Sequence, residues 1–306
     1  MTSRRHTVVT VGVFDGVHTG HRAVIAQALE LAKSHDARLV VASFDPHPAS
    51  VLRPDDFLGL LTLPARRAEL LKQQGVDAVE FLKFDDHLRT LTPDEFVEQV
   101  LVEQLGADVV VVGANFKFGH KAAGDIETLR SLATKYGFEI EVIQLKGDES
   151  VWSSSRIRSL LIEGDVVTAH KLLGRLHRIS GTVVHGEKRG RELGFPTANV
   201  SVTTNLLIPA DGVYAGLLIT DDEVLPAAIS IGTNPTFQDV LNRRIEAYAL
   251  DRTDLDLYDQ QVHVEFIAKI RGMQAFSGID SLIEAMNGDV AKARDHIDDF
   301  LEVSGH

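Results

Sequence analysis

The 306-residue sequence contains no cysteine. This absence excludes disulfide bonds, zinc sites with thiolate ligands and a cysteine nucleophile, and it fits a reducing compartment. Long apolar runs are also missing: no stretch approaches the roughly 20 residues of a membrane span. The first apolar run meets Asp15 within a few residues, too soon for the core of a signal peptide. We therefore expect a cytoplasmic protein that does not enter the membrane.

Basic residues are in the minority, with 31 Lys and Arg against 44 Asp and Glu, for a net charge of -13. Both halves of the chain carry the acidic excess. Nucleic acids and anionic membranes usually require a basic surface. Aromatic residues make up only 6% of the chain and form no stripe with basic residues. We expect neither nucleic acid nor membrane as a partner, and the sequence leaves weak self-association open.

The chain is longer than a single hydrophobic core usually fills, so two domains are expected, 1–173 and 174–306. Strand and helix patterns alternate in the first. Its runs of Val and Ile are typical of a parallel sheet covered by helices on both faces. Strands are predicted at 8–13, 38–44, 77–81, 108–112 and 139–145. Helices are predicted after residue 24, near 64–74, from 92 and around 125–136.

The second half changes to short strands separated by turn signals. This pattern predicts an antiparallel β-barrel, closed by one final helix near 280–303. Its predicted strands are 178–184, 212–220, 224–231, 244–250 and 261–270.

The segment GVFDGVHTGH, residues 12–21, joins the first strand to the first helix. Helix N-termini bind phosphate readily, and Gly12 and Gly20 allow a ligand to come close. Phe14 lies in the same loop. His18 and His21 are three apart, so they fit a metal pair, a structural role in the turn, or phosphate binding.

A second polar segment, VWSSSRIRSL, spans residues 151–160. Ser153, Ser154 and Ser155 stand at a predicted helix start, with Arg158 one turn later. Their hydroxyls and an arginine fork suit phosphate oxygens. A serine N-cap followed by an exposed arginine is the structural alternative.

Both segments resemble known motifs. HTGH is similar to the HxGH signature of the nucleotidyltransferase superfamily, and the serine segment to its second motif. In that family the histidines bind the triphosphate and stabilise charge in the transition state. The loops holding Phe44, His47 and Pro48, and Asn115, each follow a predicted strand. They resemble the flavin- and nucleotide-facing loops of bacterial FAD synthetases, with ordinary turns as the alternative.

In the second half, GEKRGRELGFPTANV (186–200) opens with a basic cluster. Lys188, Arg189 and Gly190 predict a loop that covers phosphate groups. A solvated hairpin would use the same residue types.

The following GFPTAN resembles the PTAN motif of riboflavin kinases. The resemblance implies that Thr197 and Asn199 hold Mg²⁺ and ATP phosphate oxygens, and that Glu246 is the general base. Hard cations take oxygen ligands, which suits these residues. The structural alternatives are a local turn for the motif and an outward charge on a half-exposed strand for Glu246.

Taken together, the chain resembles the bifunctional riboflavin kinase/FAD synthetases of prokaryotes. The resemblance implies an α/β Rossmann-like nucleotidyltransferase domain followed by a six-stranded antiparallel β-barrel, riboflavin kinase-like, with a C-terminal helix. It also implies that ATP phosphorylates riboflavin to FMN and then adenylylates FMN to FAD, with Mg²⁺ as cofactor. An enzyme with one inactive half, or a flavin-binding regulator without turnover, is the alternative.

Overall fold

The computed structural model describes residues 6–144, 152–186, 194–202, 205–233 and 243–304. The chain divides into two compact units, Met1–Ser154 and Ser155–His306. No helix within these described ranges is long and apolar enough to cross a membrane.

The first unit is built on five strands. They are β1 (Thr7–Val11), β2 (Arg38–Asp45), β3 (Ala78–Lys83), β4 (Val109–Gly113) and β5 (Glu139–Ile143). Its helices are α1 (Thr19–Ser34), α2 (Pro48–Leu52), α3 (Pro64–Gln73), α4 (Asp86–Thr90), α5 (Pro93–Phe96, continued by a π-helix at Val97–Gln104) and α6 (Ile126–Tyr136). Short 3-10 turns lie at Pro54–Asp56 and His120–Ala122.

The five strands form a parallel sheet in the order β3-β2-β1-β4-β5, with β1 in the centre and β3 and β5 at the ends. Val8 packs on one face with Ile25 of α1 and Leu71 of α3. The next residue, Val9, packs on the other face with Val100 of the π-helix. Burial on both faces explains why this strand is apolar throughout.

The second unit is a closed barrel with helices at its surface. Its strands are β6 (His177–Val184), β7 (Ala198–Val202), β8 (Gly212–Ile219), β9 (Val224–Thr233), β10 (Arg243–Ala249) and β11 (Gln261–Arg271). Helix α7 (Ser154–Glu163) carries the division between the units, α8 (Val166–Leu173) follows it, and α9 (Ile279–Ser304) ends the chain. All neighbouring strands are antiparallel, in the closed order β10-β7-β6-β11-β8-β9.

These observations confirm the fold class expected from the sequence. The helix start predicted at residue 92 is also confirmed, because Thr92 and Glu95 form a reciprocal capping box at α5. Strand β7 was not predicted as a strand, because it has only five residues and polar side chains at alternate positions. The short helices α2 and α4 were not predicted either. With five residues each, they are too short to show a helical period.

Candidate active sites

A cavity of about 310 Å³ lies at the carboxyl ends of β1, β4 and β5. Ligands bind at this edge in open α/β sheets. The wall consists of Thr10, Val11, Gly12, Phe14, His18, Gly20, His21, Val24, Gly113, Asn115, Phe116, Ile143, Trp152, Ser153 and Ser154. Eight of these residues were assigned to nucleotide binding or catalysis from the sequence, and the fold therefore brings them together around one space.

His18 and His21 stand side by side at the start of α1. His18 is the N-cap residue, and its Nδ1 accepts a hydrogen bond from the His21 backbone N–H at 3.3 Å. The two rings stack with 3.6 Å between their centroids, and Phe14 meets His21 edge-on at 5.2 Å. Both imidazoles thus border the cavity at the N-terminus of α1, where the helix dipole favours an anion.

A buried ion pair, which the sequence analysis did not identify, fixes the loop before these histidines. The Asp15 side chain has no solvent exposure, and its carboxylate accepts 2.9 Å hydrogen bonds from the backbone N–H groups of Leu61 and Thr62. Arg67 of α3, 1% exposed, lies 3.5 Å from Asp15 Oδ1. In the sequence, Asp15 could have been identified because it is a charged residue inside a glycine-containing loop. Arg67 has no local signal, because its neighbours read as a charged surface helix.

The serine segment that contains Ser153, Ser154 and Ser155 is hydrogen-bonded to the loop between β1 and α1. Ser154 Oγ donates a hydrogen bond to the Asp15 carbonyl oxygen at 2.8 Å. Ser153 and Ser154 border the cavity, whereas Ser155 and Arg158 are not part of its wall as the described residues form it. Ser155 is exposed, and Arg158 is buried in the part of α7 that belongs to the second unit.

The loop after β4 completes the cavity with Asn115 and Phe116. Lys117, the next residue, pairs with Asp125 at 3.5 Å. A hydrogen bond from the Thr128 N–H holds the pKa of Asp125 below its ordinary value, and Lys117 adds to the effect. The loop is thereby attached to the N-terminus of α6.

The predicted flavin-facing residues lie at the carboxyl end of β2, the neighbour of β1: Phe44 is within the strand, and His47 and Pro48 follow it. Phe44 is half-buried and meets Phe84 edge-on at 5.9 Å. His47 caps α2 by accepting a backbone N–H at 3.0 Å, and its ring lies 4.8 Å from that of Phe57. Pro48 is the first residue of α2. These three are not in the wall of the 310 Å³ cavity as it is described, so their flavin contact stays a prediction.

Three residues assigned to kinase chemistry meet on the outer face of the barrel. Glu246 in β10 is paired across the ladder with Asn199 in β7. Thr197 Oγ1 donates to Glu246 Oε2 at 3.4 Å. The neighbours of Glu246, Ile245 and Ala247, are buried, so the carboxylate points away from the barrel interior. The arrangement gathers a hydroxyl, an amide and a carboxylate at one half-buried place.

At Gly186 the backbone passes close to the cluster of Thr197, Asn199 and Glu246. A Cβ there would lie 2.3 Å from Asn199 Nδ2. The predicted phosphate-covering residues that follow, Lys188, Arg189 and Gly190, lie outside the described residues.

Two further side chains share the face with Glu246. Ser230 of β9 stands opposite it across the ladder, and Tyr248 lies two residues along β10. The Tyr248 ring meets Phe195 edge-on at 5.4 Å. Sequence reasoning missed both, although the period of two along each strand marks them as outward positions.

Two family models match successive parts of the chain. A family model described as FAD synthetase matches residues 1–156, and one described as riboflavin kinase matches residues 173–297. A bifunctional riboflavin kinase/FMN adenylyltransferase of Pseudomonas fluorescens is 38% identical, over 95% of this chain and 93% of its own. The protein of the same name from Escherichia coli K12 is 35% identical, over 94% and 92%.

Among solved structures, a chain described as a macrolide-efflux protein from Streptococcus pneumoniae matches with a TM-score of 0.86. It is 31% identical and covers 96% of this chain and 95% of its own. The similarity therefore extends over nearly the full length.

Proposed function

Since the chain belongs to the family of bifunctional riboflavin kinase/FMN adenylyltransferases, we propose which of its residues carry each reaction. The enzyme phosphorylates riboflavin with ATP to give FMN, and it adenylylates FMN with ATP to give FAD and pyrophosphate. We propose 1–173 as the adenylyltransferase domain and 174–306 as the kinase domain.

Adenylyl transfer is assigned to the 310 Å³ cavity, because eight predicted residues border it. The phosphate of FMN attacks the α-phosphate of ATP, and pyrophosphate leaves. A phosphate is already ionised near neutral pH, so no general base is required and catalysis consists of positioning and charge stabilisation. His18, His21 and Arg158 stabilise the negative charge. The nucleotide is held by Gly12, Phe14, Gly20, Asn115, Ser153, Ser154 and Ser155.

The flavin of FMN is assigned to Phe44, His47 and Pro48. Strand β2 pairs in parallel with β1, so the residues that follow both strands lie at the same edge of the sheet. An aromatic ring and an imidazole suit the flat, apolar face of a flavin.

Kinase chemistry is assigned to the outer face of β7 and β10. Glu246 takes the proton from the primary hydroxyl of riboflavin as that oxygen attacks the γ-phosphate of ATP and ADP leaves. Thr197 and Asn199 would hold Mg²⁺, whose preference for oxygen ligands fits the hydroxyl and amide beside the carboxylate. Bound there, Mg²⁺ would neutralise phosphate charge. Lys188, Arg189 and Gly190 cover the phosphates.

Two single substitutions test the assignment to separate sites. Purified variants receive riboflavin, Mg²⁺ and ATP, or FMN in place of riboflavin, and the flavins are separated by chromatography. Glu246→Gln should abolish FMN formation and leave the conversion of FMN to FAD nearly intact. His21→Ala should do the reverse.

Loss of both reactions in Glu246→Gln would contradict the two-site assignment. Normal FAD formation in His21→Ala would contradict the role given to the histidines.

A further inference from the structure

We propose that the buried pair of Asp15 and Arg67 is a positioning device for adenylyl transfer. It holds the loop that faces the nucleotide phosphates in a fixed position relative to the end of β2, where the flavin is expected. The inference rests on the proposed assignment of adenylyl transfer to the 310 Å³ cavity.

Asp15 ties together three segments of the first unit. Besides the two backbone donors described above, its Oδ1 accepts a hydrogen bond from Thr62 Oγ1 at 3.0 Å. Thr62 Oγ1 in turn accepts the backbone N–H of Gly16 at 3.0 Å. The Asp15 carbonyl oxygen accepts from Ser154. Asp15, three residues before His18, is therefore hydrogen-bonded both to residues 61–62 and to the serine segment.

Arg67 connects this loop to β2. Its Nη1 donates to the Val13 carbonyl oxygen at 3.1 Å, to Ser43 Oγ at 3.0 Å and to the Phe44 carbonyl oxygen at 3.1 Å. Val13 lies in the nucleotide loop, and Phe44 is a predicted flavin residue. One guanidinium, 1% exposed, thus holds both loops.

Stability alone is a poor account of this pair. Removing two charges from water is costly, and apolar residues of similar volume often stabilise a fold equally well. A planar guanidinium has several N–H donors in a fixed geometry, so it instead determines how the groups that it hydrogen-bonds are oriented relative to one another. Reacting groups in a transfer reaction must be positioned accurately, with a misplacement of about 1 Å already costly, so holding these two loops in a fixed relative orientation favours catalysis.

The decisive variant is the double substitution Asp15→Asn with Arg67→Met, because it leaves no lone buried charge. The kcat for FAD formation from FMN should fall about 100-fold, the usual result of misplacing reactants by about 1 Å. Riboflavin kinase activity in the same preparation should be unchanged. Rates are compared at a temperature where circular dichroism shows each variant to be folded.

Leu71→Ala is the matched control. Leu71 lies in the same helix, is fully buried and apolar, and its truncation weakens packing without touching the polar contacts of the pair. It should keep nearly the wild-type kcat. A wild-type kcat in the double variant, or an equal loss in Leu71→Ala, would overturn the proposal.

Arg67→Lys separates the effect of the positive charge from the effect of the guanidinium's hydrogen-bond geometry. Lysine keeps the charge but cannot reach Val13, Ser43 and Phe44 together, so its kcat should lie between wild type and the double variant. A wild-type kcat would contradict the two-loop role. His21→Ala is measured in parallel: normal FAD formation there would reject the cavity assignment itself, independently of the pair.

Discussion

At the residue scale, one glycine in each candidate site allows the backbone to pass close to a side chain assigned to that site. A Cβ at Gly20 would lie 3.2 Å from the His18 ring and 3.2 Å from Trp152 Cβ. A Cβ at Gly186 would lie 2.3 Å from Asn199 Nδ2, so that amide would have to move. The kinase site is therefore the more sensitive of the two to an added methyl group.

Gly186→Ala should lower kcat/KM for riboflavin phosphorylation about tenfold, because it displaces the Asn199 amide, which we propose positions ATP. FAD formation from supplied FMN should be unaffected. Steady-state kinetics of both reactions measure this. Gly288→Ala is the control, since a Cβ at that position of α9 meets nothing within 4 Å. Equal effects in the two variants would contradict the proximity argument.

That particular residues border the 310 Å³ cavity was predictable where a motif is continuous in sequence. His18, His21 and Ser154 are examples, because strand ends and helix starts bring such motifs to one edge. Arg67 was not predictable, because its partners Val13, Ser43 and Phe44 are 54, 24 and 23 residues away. Only the folded chain shows that this arginine is buried.

At the scale of elements, helix starts are supported by side-chain caps. Asp165 Oδ1 accepts a hydrogen bond from the Thr168 N–H at 2.9 Å at the start of α8. That bond is the main reason why the pKa of Asp165 lies below its ordinary value. The carboxylate therefore stabilises α8 in its ionised form.

Asp165→Ala should lower the free energy of unfolding by about 1 kcal/mol at neutral pH, the usual value of an N-cap. Because the folded-state pKa is lowered, this stabilisation is present above the ordinary carboxyl pKa. It is lost as the pH falls through the lowered value. Urea unfolding at neutral and acidic pH measures both effects.

Asp165→Asn is the control for the charge. Asparagine caps a helix without titrating. The difference in the free energy of unfolding between this variant and wild type should therefore narrow as the pH falls. A constant difference across the acidic range would contradict the assigned cause.

Element prediction succeeded where the pattern was long or continuous. Strands β1 and β4 are apolar runs, and α6 begins after its capping Asp125. Strand β7 was missed because it is short and polar at alternate positions. Its pairing with β6 and β10, which is a property of the closed barrel, defines it as a strand.

At the scale of the whole molecule, α7 and α8 pack with the barrel although they precede the expected domain boundary. Leu161 and Ala169 are fully buried. The Leu161 carbonyl oxygen accepts the Ala210 N–H at 2.9 Å, and α8 contacts β6 and β11. The kinase unit therefore includes these helices in its packing.

A fragment of residues 155–306 should fold and phosphorylate riboflavin without forming FAD. A fragment of 174–306 should be less stable, because it exposes the surface that α7 and α8 cover. Thermal unfolding of both fragments and a kinase assay test this. Equal melting temperatures would show that the two helices contribute nothing to the barrel.

The two units also differ in how their sheets end. The barrel closes on itself, whereas the parallel sheet ends in β3 and β5. An unpaired strand is a template on which another molecule can aggregate. Both end strands are short, with six and five residues, and β5 presents Glu139 and Glu141 to solvent. A second copy aligned on β5 would bring the same two charges, so like-charge repulsion opposes pairing of two copies along this strand in concentrated protein.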